Sequence, residues 1–133
     1  MKKGFVANIE TLTQENKNFR QVLYTGMMSQ LVLMSLNPGE EIGAEVHADH
    51  DQFFRFEVGS GRVLIDGSEY DVAADDAVIV PAGAEHNIIN TSESESLKLY
   101  TIYSPAEHRF DVVHATKAEA MADDERFDGQ LSE

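Results

Sequence analysis

The chain contains no cysteine in 133 residues. Disulfides and thiolate metal ligands are therefore excluded, and a reducing compartment fits. Any metal must be held by imidazole, carboxylate or amide groups. No run of about 18 apolar residues occurs, so no membrane-spanning helix is expected. Met1-Lys2-Lys3 leads into a mixed, polar stretch at 4–18 with no apolar h-region. The expectation is a cytoplasmic protein without a secretory signal. Basic residues are scarce, with 10 Lys and Arg against 24 Asp and Glu and a net charge of −14. That charge repels phosphate backbones and anionic lipid, which argues against nucleic-acid and membrane partners. It reads as a solubility device rather than a cation funnel. Appended DNA-binding helices and internal repeats are also missing, and Ser92-Glu-Ser-Glu-Ser96 is the only low-complexity tract.

What is present has the texture of a single all-β domain. The length gives room for one core and argues against two. Residues 1–20 read as a strand or arm at Phe5 and Val6, followed by a short helix with Thr11-x-x-Gln14 as its capping box. From 21 onward short strands alternate with turn signals. They run at 21–24, 30–36, 42–47, 52–58, 63–65, 68–72, 77–80, 86–90 and 97–103. Gln30–Leu36 is nearly all apolar and seven residues long, the mark of a strand buried on both faces. In 52–58 the two-residue period places Gln52, Phe54, Phe56 and Val58 on one side. Phe53, Arg55 and Glu57 fall on the other, with Arg55 and Glu57 read as a cross-strand or interface pair. Asp66-Gly67 has the chemistry of a tight primed hairpin turn. Strands at this spacing point to a sandwich or closed barrel. The segment 105–133 is polar and acidic. Thr116-x-x-Glu119 caps a short helix there, and the composition after Asp123 suits a mobile tail.

Two constellations carry chemistry. The first is Gly39-x5-Glu45-x-His47-x4-Gln52-x6-Gly59, and the second is Asp75-x5-Pro81-x-Gly83-x2-His86-x3-Asn90. Together they resemble the two motifs of the cupin family. Every interval of the first is kept, with Glu45 in the slot of the first His and Gln52 in the slot of the Glu. The second matches apart from Asp75 at the leading Gly. The resemblance implies a double-stranded β-helix, or jelly-roll barrel, over 21–104. Short helical segments lie outside it, in an arm at 1–20 and an extension at 105–133.

The resemblance also implies that Glu45, His47, Gln52 and His86 converge on one divalent metal inside the barrel. Two imidazoles, one carboxylate and one neutral amide carry the same ligand charge, −1, as the usual three His and one Glu. Iron, manganese, nickel and zinc all suit such a set. Glu45 and Gln52 read equally well as ligands or as hydrogen-bond partners orienting an imidazole. His50 is the alternative ligand. Met34, Phe54, Phe56, Ile88 and Tyr103 are expected to wall a substrate pocket, and Asn90 to satisfy backbone groups at a strand end. His108 and His114 are expected at the surface.

On this reading the chain is a metal-binding cupin acting on a small oxygenated substrate, sugar-like or carbonyl-bearing. The metal would serve as Lewis acid and Glu45 as the catalytic proton carrier in isomerase or lyase chemistry. A non-catalytic small-molecule binder and an iron-dependent dioxygenase are the alternatives. A homodimer is expected, paired through Gln21–Leu36 and the Phe53–Arg55 face.

Overall fold

The computed structural model describes residues 1–133 as two antiparallel sheets with a helix at each end. The elements are α1 (Ile9–Glu15), β1 (Arg20–Thr25), β2 (Gln30–Leu36), β3 (Glu45–Val46), β4 (Asp51–Val58), β5 (Ser60–Ile65), β6 (Ser68–Ala73), β7 (Ala77–Val80), β8 (Glu85–Asn90), β9 (Leu97–Ser104), β10 (Val113–His114) and α2 (Lys117–Ala122). The strand order is β10-β1-β2-β9-β4-β7 in one sheet and β3-β8-β5-β6 in the other. The chain switches sheets between β3 and β4, the jelly-roll arrangement expected.

Cross-strand register sorts the inner face of the six-stranded sheet into layers, because directly paired residues share a face. One layer is Thr25, Gln30, Tyr103, Gln52 and Val80. The next is Val22, Val32, Thr101, Phe54 and Val78, and the third is Arg20, Met34, Leu99 and Phe56. In the four-stranded sheet, Ile65, His86 and Glu45 form one layer and Val63 and Ile88 the layer beside it. A core of 16 apolar residues fills the space between, including Met34, Leu36, Phe54, Phe56, Val63, Ile88 and Leu99. Burying such a side chain is worth about 1.5–3 kcal/mol.

Turn chemistry explains the glycine, aspartate and asparagine positions of the two motifs. Gly59 has φ +90°, and a Cβ there would sit 2.5 Å from the Ser96 carbonyl oxygen. Only glycine fits that closeness of backbones. Asp75, in the slot of the motif's leading Gly, adopts φ 78°. Aspartate is among the few residues that tolerate this left-handed region. Asp66 and Gly67 have φ 44° and 84°, the two positive values a type I′ hairpin requires. Asn90 spans a strand end as expected: its amide donates to the Leu36, Asn37 and Glu95 carbonyls.

Residues 1–8 are an arm and not a strand. Three local expectations change. The cap of α1 is Asn8, whose side chain accepts from the Thr11 amide at 3.0 Å. Thr11 lies inside the helix and the Gln14 amide donates to Glu10, so Thr11-x-x-Gln14 is not a capping box. The strand expected at 42–47 shrinks to Glu45–Val46, with one isolated bridge from Glu41 to Ile89. Arg55 does meet Glu57, at 3.3 Å, but along its own strand, while a second contact reaches Asp75 at 3.1 Å. The capping box at Thr116 and Glu119 is present.

The extension departs furthest from expectation. Its stretch after Asp123 is laid back on the barrel. Phe127 donates to the Glu107 carbonyl, Ser132 to the Thr25 carbonyl, and the Glu133 carboxylate accepts from the Lys3 and Gly4 amides and the Tyr24 hydroxyl. Gln30 is the clasp. Fully buried, its amide donates to Thr25 Oγ1 and the His108 carbonyl and accepts from the Glu107 and His108 amides.

Candidate metal centre

Glu45 and His86 are directly paired across β3 and β8, so their side chains leave the four-stranded sheet on one face. His47 follows immediately after β3 and turns back, placing Nε2 3.1 Å from Glu45 Oε2. One ligand atom from each of Glu45, His47 and His86 lies within 4.8 Å of the others, a spacing at which the three could hold a metal ion. The rings of His47 and His86 are 5.3 Å apart.

Hydrogen bonds set which atoms are free. His86 Nδ1 sits 3.1 Å from the Ala84 carbonyl oxygen. A carbonyl only accepts, so Nδ1 carries the proton and Nε2 keeps its lone pair. That Nε2 is buried and has no partner. A second orphan lies in the facing sheet. Gln52 Nε2 donates to Thr101 Oγ1 at 3.0 Å, and that hydroxyl spends its own proton on the Phe53 carbonyl at 2.8 Å. The amide orientation is thereby fixed, and Gln52 Oε1 is left buried and unpartnered. Buried polar atoms without partners are uncommon and costly, about 1–3 kcal/mol each. A neutral imidazole nitrogen and an amide oxygen are both metal donors, so each orphaned atom has the chemistry of a cation ligand.

The electrostatics agree. Burial alone would raise Glu45, but the hydrogen bond and charge of His47 outweigh it and hold the carboxyl below its ordinary value. Burial alone would lower His47, yet the Glu45 hydrogen bond and the Glu45 and Glu107 charges raise it. Glu45 keeps a third of its side-chain area exposed (34%), so the site opens to solvent on that side.

His50 is not in the group. Its Nδ1 donates to the Pro105 carbonyl at 2.8 Å, and its Nε2 meets Glu107 at the same distance. Gln52 arrives from the opposite sheet and not from the strand beside Glu45, because β3 pairs with β8 while β4 pairs with β7 and β9. Of the expected pocket wall, Tyr103 lies 5.7 Å from the His47 ring and Phe54 6.2 Å from the His86 ring. Met34, Phe56 and Ile88 are core residues in other layers, and no cavity opens onto any of the five. The largest groove, about 410 Å³, runs along β6 and β7 past Ile65, Tyr70 and Ile79 on the outside.

His108 and His114, expected at the surface, are buried. His108 donates from Nδ1 to Glu125 and accepts from the Tyr103 hydroxyl at Nε2, 3.3 Å away. Burial pushes His108 down despite Glu125, and pushes Tyr103 well above the usual phenol range. Tyr103 is therefore a neutral donor to a neutral ring. His114 Nε2 lies 3.0 Å from Asp123 and its Nδ1 3.4 Å from Arg20 Nη1. Sequence reasoning passed over Gln30, Arg20 and Glu125. The one signal was a polar residue opening each of two strands, Gln30 before Leu-Val-Leu and Arg20 before Gln-Val-Leu.

A cupin domain model matches residues 32–103, which spans both motifs and more than half of the chain. The chain is a cupin. It is 48% identical over 126 residues to the uncharacterized protein YrkC of Bacillus subtilis (strain 168), covering 90% of this chain and 67% of that protein. The crystal structure of BH2720 from Bacillus halodurans superposes with a TM-score of 0.89 at 44% identity, covering 91% of this cupin and 96% of that chain. KdgF from Halomonas sp. shares 19% identity with a TM-score of 0.60, covering 65% of this chain and 76% of its own. That last likeness is one of fold alone. No helix of this cupin is long and apolar enough to cross a membrane.

Proposed function

We propose that this cupin binds one divalent metal through Glu45, His47 and His86, with Gln52 Oε1 completing the set, and acts on a small oxygenated substrate. The observation that carries the reading is His86: buried, held by Ala84 in the tautomer that bares Nε2, and given no protein partner for it. When bound, the metal supplies Lewis acidity toward a carbonyl or hydroxyl oxygen. The chain's own residues do the rest. Glu45, ionised and solvent-facing, takes or returns a proton at its carboxylate. Tyr103 and Phe54 close the apolar side and exclude water. Isomerisation or elimination next to a carbonyl fits this set, since each needs one polarised oxygen and one mobile proton.

The test is metal analysis followed by turnover on a panel of sugars, sugar acids and diketones. Stoichiometric metal with product formation, both lost in His86→Ala, is the expected outcome. Stoichiometric metal and ligand-induced stabilisation without product would instead make the chain a binding module. Pairing of two chains through the outer face of the six-stranded sheet, where Leu31, Phe53 and Ile102 are half-buried, belongs to the same proposal. Light scattering at micromolar concentration would contradict it by reporting a monomer.

A further inference from the structure

His47 is the member of the centre least fixed by its own strand. It lies just past β3, which ends at Val46, and its ring is held by one hydrogen bond, between Nε2 and Glu45 Oε2 at 3.1 Å. Both residues are donors of the proposed centre, so that contact gives way once they turn to an ion. The other ring nitrogen, Nδ1, then has to fix the plane of the imidazole. Facing it is Glu107, whose Oε2 lies 3.7 Å from His47 Nδ1.

That distance is a contact between charges and is longer than a hydrogen bond. Polar contacts of this kind are often long before a ligand binds and tighten afterwards. Glu107 is in no position to drift away, because it is tethered on three sides. The same Oε2 lies 2.8 Å from His50 Nε2, and His50 is braced in turn by its Nδ1 bond to the Pro105 carbonyl. The Glu107 amide donates to the Oε1 of fully buried Gln30 at 3.1 Å, and the Glu107 carbonyl accepts from the Phe127 amide at 2.9 Å. A small turn of the His47 ring closes the remaining gap.

An imidazole that ligates a metal uses the lone pair of one nitrogen and carries its proton on the other. An acceptor for that proton fixes the tautomer and the ring, and a carboxylate also makes the ligating nitrogen a stronger donor. His86 already has such an acceptor in the Ala84 carbonyl, which holds the proton of Nδ1 and bares Nε2.

We propose that Glu107 is the positioning residue of His47, holding the ring through Nδ1 so that Nε2 is left to the metal. Glu107 lies outside residues 32–103, the part that the cupin domain model matches. The extension thus supplies the centre with a part that neither motif contains. The inference rests on the metal reading for what Nε2 faces, and not for the contact between Glu107 and His47.

The test measures zinc affinity against a chelator for wild type, Glu107→Gln and His50→Gln. The ring-nitrogen NMR signals of His47 are recorded on the same samples with and without zinc. Glu107→Gln keeps the shape of the side chain and both backbone bonds of the residue. It should weaken zinc binding by about 10–100-fold and shift the His47 Nδ1 signal in metal-free and zinc-loaded protein alike. His50→Gln leaves the carboxylate facing His47 and should cost less than Glu107→Gln does. Unchanged affinity in Glu107→Gln, an unmoved Nδ1 signal, or an equal loss in His50→Gln each overturns the proposal. Should Glu107→Gln not fold, zinc-loaded wild type decides. Its His47 Nδ1 proton should be protected from exchange with water, and a freely exchanging proton refutes the contact. Protein that takes up no zinc sinks the metal reading, and the metal-free Nδ1 shift on Glu107→Gln then decides this inference by itself. Zinc-loaded protein whose Nδ1 signal ignores Glu107→Gln does the reverse.

Discussion

The barrel strands and the C-terminal extension both send polar groups into one interior, yet by different routes and with different consequences. Glu45, His47 and His86 come from or beside paired strands and leave a donor atom free. His108, His114 and Glu125 come from 105–133, and their polar atoms are used on one another, on Tyr103 and on Arg20. Unsatisfied donors mark a place for a ligand, and satisfied ones mark a seal. The extension seals one side of the barrel with neutral and paired groups, and the strands keep the three side chains that could hold a metal. Loss of His47 or His86 should therefore cost metal, and loss of an extension residue other than Glu107, or of Gln30 that clasps the extension, should cost stability.

The largest effect is expected at the centre. His47→Ala and His86→Ala should each weaken metal binding by more than the roughly 10–100-fold typical of removing a residue that only orients a ligand. Competition against a chelator would measure this, with the urea midpoint of the metal-free protein changing little. A smaller effect is expected at the clasp. Gln30→Ala strips partners from the Thr25 hydroxyl, the His108 carbonyl and two amides, and should cost about 3 kcal/mol in urea denaturation while metal uptake survives. Glu125→Ala, which bares His108 and the Arg109 amide, should cost about 2 kcal/mol. If either the clasp variant or the extension variant loses its metal, the division between the two regions is wrong.

How much of this was legible in the residues follows the same line. The ligand slots could be read because strand spacing and turn glycines are local: Gly59 and Asp75 adopt the backbone that the motif demands. The pairing of Glu45 with His86 and the arrival of Gln52 from the facing sheet are facts of topology, which no spacing within one strand carries. The extension was misread for a physical reason. A stretch such as 123–133, rich in acid and poor in apolar residues, lacks the surface to bury by itself. It is held by hydrogen bonds with Tyr24 and Thr25, residues about a hundred positions away. The buried wall failed similarly, since Met34, Phe56 and Ile88 have the composition of a pocket lining and the position of a core.

The smallest effect is a pH window in the metal-free protein. His47 is raised, so its contribution to stability is complete below its ordinary value of 6.5 and fades as pH rises through the raised value. Glu45 is lowered, so its contribution is complete above 4.5 and fades as pH falls through the lowered value. The pair therefore stabilises most between those two pH values. Thermal melts across that range should show a shallow maximum that His47→Gln flattens, and a wild-type curve with no such maximum would deny the pairing.

One crystal would test the centre itself most directly. Zinc soaked into the protein should give an anomalous peak at about 2.0–2.2 Å from Glu45, His47 Nε2 and His86 Nε2. A peak at His50 and Glu107 instead, or full-strength density at the centre after His86→Ala, would contradict the account.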